Sequence, residues 1–156
     1  MSLNAQKVSY LDIPKYLKAF EYIQSDSINK DKKIKISNMV VDLDRFWFRS
    51  DLRNELHLMS VIDSLTKFSW FENFISFELY SSFEHINNSS AKSIVFFSLV
   101  EKNTLRADLF FDGMGLSNYD AIIRQNRDKV YAYLFIFNKD GCVTRKLRSE
   151  MIYEPF

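Results

Sequence analysis

Four aspartates stand in pairs whose spacing invites a metal. Asp42 and Asp44 lie two positions apart, and Asp108 and Asp112 lie four apart. On a regular strand each pair shares one face, because successive side chains alternate. Carboxylates are the ligands Mg²⁺ prefers, and one or two of them with substrate phosphates can hold the ion for phosphoryl-transfer or nuclease chemistry. Asp42 and Asp44 are near enough to act together but have no third ligand close in sequence. Four strand positions span about 13 Å, so Asp108 and Asp112 cannot share one ion directly. A hairpin would offer Glu101 as a helper to Asp108, but no following ExK supplies the usual nuclease lysine. The simpler expectation for all four acids is a solvated polar face.

Other chemistries lack their residues. The chain has one cysteine, Cys142, and two histidines, His57 and His85. One thiol makes neither an internal disulfide nor a CxxC zinc pair, and HExxH is absent. Cys142 lies near basic residues that would lower a thiol pKa, yet a bland thiol is the simpler reading. His57 sits between two leucines and reads as structural. GxSxG is missing, and so are GxGxxG and GxxxxGKS/T. With only 3 glycines the chain has little of what phosphate-cradling loops require. No cofactor is expected.

Two segments fit binding better than catalysis. Asp112-Gly113-Met114-Gly115-Leu116-Ser117-Asn118-Tyr119-Asp120 holds two of the three glycines and opens onto an expected helix N-terminus. Asp112, Met114, Asn118, Tyr119 and Asp120 are its candidate partner contacts. The rival reading is an ordinary strand-to-helix connection. Arg45-Phe46-Trp47-Phe48-Arg49 mixes bases with aromatics. Trp47 there could anchor a protein or stack on a single-stranded nucleic acid. The rival reading sends Phe46 and Phe48 together into the core. Lys30, Lys32, Lys33 and Lys35, with Arg145, Lys146 and Arg148, form basic clusters that suit phosphates or plain solvation.

The elements that must position these residues follow from periodicity. Helix 1 is expected at about 13–25, with Asp12 as cap and Pro14 in its first turn. A polar run, 25–33, reads as an exposed loop. A strand is expected near 34–43 and a second helix at about 51–67, with Asp63 and Lys67 paired on its polar side. Residues 69–86 fit both a four-residue repeat (Phe71, Ile75, Leu79, Phe83) and an alternation (Ile75, Phe77, Leu79). A strand at 74–83 is the choice, because Phe and Ile favour strands. Ile94–Phe97 is apolar on both faces and reads as a central strand. Strand 105–112 follows, then a helix at 118–129. Tyr131–Phe137 is a second doubly apolar strand, Asn138–Gly141 a hairpin turn, and Cys142–Arg148 a basic edge strand. The sum is one α+β domain over 1–156. Its mainly antiparallel sheet of about five or six strands packs against two N-terminal helices and one late helix.

Composition agrees with a folded chain. The 156 residues are 47% hydrophobic and 26% charged, with a formal net charge of +1. Disorder needs less hydrophobicity and more net charge. A near-neutral protein has no global field drawing it to nucleic acid or to an anionic membrane. No apolar run reaches the roughly 18 residues of a membrane span, and Met1–Tyr10 lacks the charged and then apolar pattern expected of a signal peptide. The expected location is the cytoplasm. Abundant Asn, Ile, Lys and Ser with scarce Ala point to A/T-rich codons and a bacterial or phage source. The resulting expectation is a non-enzymatic module that binds another protein, a toxin-neutralising immunity protein being the concrete example. The alternative is a nucleic-acid-binding or metal-dependent nucleic-acid-processing protein. A third is an oligomeric subunit whose aromatic patch self-associates.

Overall fold

The computed structural model describes residues 8–65, 73–83, 91–111 and 129–152. The first helix, α1, spans Ile13–Ser25, as the periodicity predicts. Tyr16, Ala19, Phe20 and Ile23 recur at three- and four-residue steps and are its buried stripe. Pro14 occupies the first turn, but the Asp12 side chain makes no cap bond; it accepts from the Lys15 ammonium at 3.0 Å. The helix stops where Asp26 turns extended, with φ −63° and ψ 131°. The expected exposed loop 25–33 is only partly that. Asp26 starts a short 3-10 turn, Ser27–Asn29, and Asn29 is buried.

Six strands form one sheet. They are β1 Ile34–Val41, β2 Asn73–Ile75, β3 Ser93–Phe97, β4 Thr104–Phe110, β5 Lys129–Phe137 and β6 Val143–Ile152. The spatial order is β2-β1-β3-β4-β5-β6. Every neighbouring pair is antiparallel except β1 with β3. The fold is α+β, as expected. Two tight hairpins set the register of β3 against β4 and of β5 against β6. Lys102 and Asn103 both have positive φ, the signature of a two-residue hairpin turn whose twist matches the strands. Between β5 and β6, Gly141 takes φ +78°, where a residue with a Cβ would be strained.

Both faces of the sheet are covered. On the first, α1 packs with Leu79 and Phe83 over Ile36, Val95, Phe97, Leu105, Ala107, Leu109 and Phe135. On the second lie Phe48, Leu52 and the helix α2, Leu56–Leu65, which sends Ile62 toward Ala132, Leu134 and Ile136. The two N-terminal helices therefore sit on opposite faces, which periodicity cannot tell. β3 and β4 are buried along their whole lengths, as central strands must be. No helix among the described residues is long and apolar enough to cross a membrane.

Four expectations need correction. The strand expected at 74–83 is only β2, and from Phe77 to Ser82 the chain is a helix, α3. Ser76 caps it by accepting from the Leu79 N–H at 3.3 Å. The four-residue repeat wins because Leu79 and Phe83 both have to reach the α1 core, and both are 0% exposed. The second helix begins at Leu56 rather than 51, because Ser50–Leu52 winds as a 3-10 turn that buries Leu52. β1 ends at Val41, so Leu43 is buried beyond the ladder. Of the helix expected at 118–129, residues 118–128 lie outside the described residues, and Lys129 already belongs to β5.

Candidate protein-binding surface

After β1 the chain leaves the sheet ladder and crosses the second face. The Asp44 carboxylate accepts from the Phe46 N–H at 2.8 Å, which starts a 3-10 turn over Phe46–Phe48. The tight turn splits the aromatic triplet. Phe48 is fully buried, whereas Phe46 is 50% and Trp47 54% exposed. The expectation that Phe46 and Phe48 enter the core together is thus half right. A strand would put both on one face; a 3-10 turn of about three residues per turn does not.

Arg45 pins this turn from below. Its guanidinium is buried and donates to the Thr104 hydroxyl at 2.8 Å, the Ser98 hydroxyl at 3.0 Å and the Leu43 carbonyl at 3.1 Å. It also donates to the Leu99 carbonyl. Those partners are neutral oxygens. Burial pushes the Arg45 pKa down, and the more distant charges of Glu101 and Asp42 oppose that. Arginine remains a cation even so.

Beside it lies a buried ion pair. Arg106 and Asp108 project from the same face of β4, and Arg106 donates to both Asp108 oxygens, at 2.9 and 3.1 Å. Arg106 also donates to the Asp44 carbonyl, so it holds the start of the same turn. Ser98 joins the two arginines, since its hydroxyl accepts from Arg45 and from the Arg106 N–H at 3.0 Å. Fully buried polar groups need such partners, because an unmade bond there costs the full desolvation penalty.

The turn is tied at two further points. Arg49 donates to Asp63 of α2 at 2.8 Å, so Asp63 pairs with Arg49; Lys67, its expected partner, lies outside the described residues. The Trp47 indole N–H donates to the Ser149 hydroxyl of β6 at 3.1 Å. Phe46 and Trp47 therefore stand on a clamped platform beside β6. That strand is an edge of the sheet, with no neighbour on its outer side among the described residues.

On the opposite face a cleft of about 270 Å³ lies between α1 and β6, lined by Tyr22, Asp26, Tyr133, Phe135, Lys146 and Arg148 among others. Arg148 donates to both Asp26 oxygens, at 2.6 and 2.7 Å, and the Tyr133 hydroxyl donates to Asp26 at 2.9 Å. Burial would raise the Asp26 pKa, but the bonds from Arg148, Tyr133 and the Ile28 N–H outweigh it and hold the carboxyl below its usual range. Burial pushes the Tyr133 hydroxyl pKa up.

These positions sort the residues singled out from the sequence. Trp47 is placed on a surface. Asp112, Met114, Asn118, Tyr119 and Asp120 lie outside the described residues. Asp108 is not a solvated acid but is 0% exposed, a correction forced by its pairing with Arg106. Glu101 bridges Thr104 at the far end of β4 from Asp108 and is no helper to it. No cluster of three or more His, Cys, Asp or Glu that could hold a metal occurs among the described residues. The basic clusters largely serve their own fold. Lys32 lies over Phe111 and Lys146 over Tyr22, while Arg145 pairs with Glu55 and Arg148 with Asp26. His57 and Cys142 are exposed.

The sequence reading does not pair Arg106 with Asp108, although opposite charges two apart in an otherwise apolar strand are a readable signal of a same-face pair. Asp26 and Arg148 carry no such signal, being 122 residues apart. Comparison with protein-family models, curated proteins and solved structures finds no match to this chain.

Proposed function

We propose that this protein is a non-enzymatic protein-binding module, with Phe46 and Trp47 as its anchors. One observation carries the reading: two adjacent, half-exposed aromatics stand on a turn fixed from beneath by buried Arg45 and Phe48. Aromatic anchors dominate interface energetics, and a rigid platform loses little entropy when it docks. Asp112, Met114, Asn118, Tyr119 and Asp120 remain in the proposal as further contacts on sequence grounds. A toxin-neutralising role in a bacterial cytoplasm is the finer form of the reading, supported by size, balanced charge and aromatic content.

The nucleic-acid alternative is weakened by the engagement of Lys32, Arg145, Lys146 and Arg148 with their own aromatic and acidic neighbours. The test is affinity capture from source-cell lysate, with bound protein and nucleic acid scored separately. The wild type should retain a discrete protein that the Phe46→Ala, Trp47→Ala double variant loses while keeping its circular dichroism spectrum. Equal capture by both, or retention of nucleic acid alone at physiological salt, overturns the reading.

A further inference from the structure

The outer edge of β6, which has no neighbour among the described residues, carries a pattern that reads against itself. A second copy joining this edge by a two-fold axis must run antiparallel, with the axis normal to the sheet. The axis then passes through one residue, and residues equidistant from it face each other. Even-numbered side chains of β6 from 144 to 152 are exposed, while Arg145, Leu147 and Ser149 are partly covered and Met151 is buried.

The centres from Lys146 to Glu150, which leave at least two residues of β6 on either side, can be checked for charge, because like charges directly opposite destabilise a strand pair and unlike charges stabilise it. A centre at Lys146, Arg148 or Glu150 sets that residue against its own copy. A centre at Leu147 sets Lys146 against Arg148. Among centres from Lys146 to Glu150, only Ser149 avoids every like-charge pair. It sets Arg148 against Glu150 on both sides of the axis, Leu147 against Met151, and the long stem of Lys146 against Ile152. Ile152 is 64% exposed without such a neighbour.

A second observation points to the same residue. Ser149 is the residue the Trp47 indole touches, at 3.1 Å. With the axis at Ser149, the two copies of the half-exposed Trp47 flank it on the second face. The backbone is ready for pairing, since β6 is in regular register with β5 from Arg145 to Ile152.

We propose that the protein forms a two-fold dimer through β6, antiparallel and centred on Ser149, joining two sheets into one. The proposal rests on the protein-binding reading above and names the partner as a second copy of this chain. The arrangement is isologous and closed, so it ends at two copies.

Two experiments test it, both on the full chain. In sedimentation velocity across a concentration series, the wild type should dimerise. Glu150→Arg should weaken the dimer at least tenfold, and Arg148→Glu with Glu150→Arg should restore it. Because Arg148→Glu also removes the Asp26 pair and could harm folding, cross-linking supplies an independent readout. Antiparallel partners have Cα atoms about 4.5–5.5 Å apart, within disulfide reach. In a Cys142→Ser background, Ser149→Cys should therefore oxidise to a covalent dimer, while Thr144→Cys should not. A monomer at every concentration, indifference to Glu150→Arg, or equal cross-linking at both positions overturns the dimer. If a monomer still captures a different protein through Phe46 and Trp47, the dimer fails and the protein-binding reading stands.

Discussion

The two faces of the sheet solve the same problem by different physics. The face under α1 is one continuous apolar cluster, in which Phe20 meets Phe83 edge-on at 5.4 Å and Phe83 stacks on Phe97 at 6.5 Å. The opposite face is divided. One apolar cluster gathers around Phe96 and Phe110, another around Phe48 and Leu134, and Arg45, Arg106 and Asp108 are buried on the same face. Apolar burial is non-directional and tolerates small shifts of a helix. A guanidinium with several donors in a rigid fork fixes position and angle. The face that orients its cover by directional bonds is the one that presents Phe46 and Trp47. The contrast teaches that the polar cluster sets where the aromatic anchors point, at some cost in stability.

The largest expected effect follows from breaking that cluster on one side only. Arg106→Met leaves Asp108 charged and buried, which should cost about 3–5 kcal/mol. Arg106→Met with Asp108→Leu removes both charges and should recover most of that loss, since a buried ion pair stabilises little over an apolar pair. Urea denaturation of the three proteins measures it. A double variant no more stable than the single one would show that the face needs its charges for folding itself.

A smaller effect is expected at Arg45. Arg45→Met removes a buried cation together with its bonds and takes that donor from the Leu43 and Leu99 carbonyls and the Thr104 hydroxyl, while the Ser98 hydroxyl keeps the Arg106 N–H. The loss should be about 2–3 kcal/mol. Amide exchange should quicken over 43–52 while α1 remains protected, which separates the two faces directly. Uniform quickening would mean that the clamp belongs to the global fold.

How legible this was in the sequence follows from the same contrast. Helix α1 came out with its bounds because its apolar stripe has a 3.6-residue period and a covered face. β3 and β5 were legible as apolar runs, and the 138–141 turn as a polar cluster ending in glycine. What failed was whatever a distant partner decides. Asp108 is the exception, since Arg106 is a near neighbour on the same strand face; what their spacing does not show is that both are buried. α3 was read as strand because Phe77 and Leu79 fit an alternation, until the burial of Leu79 and Phe83 decided it. The bases of 145–148 suited phosphates on paper, but Glu55 and Asp26 reach two of them from far along the chain. At the candidate surface the sequence marks Trp47 as an anchor but offers Phe46 to the core, and the exposure of both depends on a 3-10 turn that composition does not signal.

Next in size comes the anchor pair. Trp47→Ala removes a large ring whose covered half contributes to burial, and should cost about 1–2 kcal/mol in stability. Its effect on partner affinity should be larger than on folding, at about 2 kcal/mol or more, roughly thirtyfold in Kd. Calorimetric titration against the captured partner, beside a thermal melt, checks both. An affinity loss no larger than the stability loss would reduce Trp47 to a packing residue.

The smallest effect concerns the other ion pair and tests whether burial is what distinguishes the two faces. Arg148–Asp26 repeats the arginine–carboxylate chemistry of Arg106–Asp108, but the Arg148 side chain is 42% exposed where that of Arg106 is 5%. Water and salt screen the exposed pair, so Asp26→Asn should cost about 1 kcal/mol or less at neutral pH. Asparagine keeps an acceptor for the Ile28 N–H but puts an amide nitrogen where the second oxygen accepts from the Tyr133 hydroxyl, so the change removes the charge and that one bond. The folded carboxyl titrates below its unfolded value, which is about 3.9. Its stabilisation is therefore complete above the unfolded pKa and is lost as pH falls through the folded one. Urea midpoints of the wild type and Asp26→Asn should differ from pH 7 down to about pH 5 and converge below about pH 4. The gap at pH 7 should also shrink in molar salt, because exposed pairs are screened. A gap that survives both acid and salt would mean that Asp26 acts through its hydrogen bond with Tyr133, the one bond that asparagine does not keep. The two faces would then differ in more than the burial of their charges.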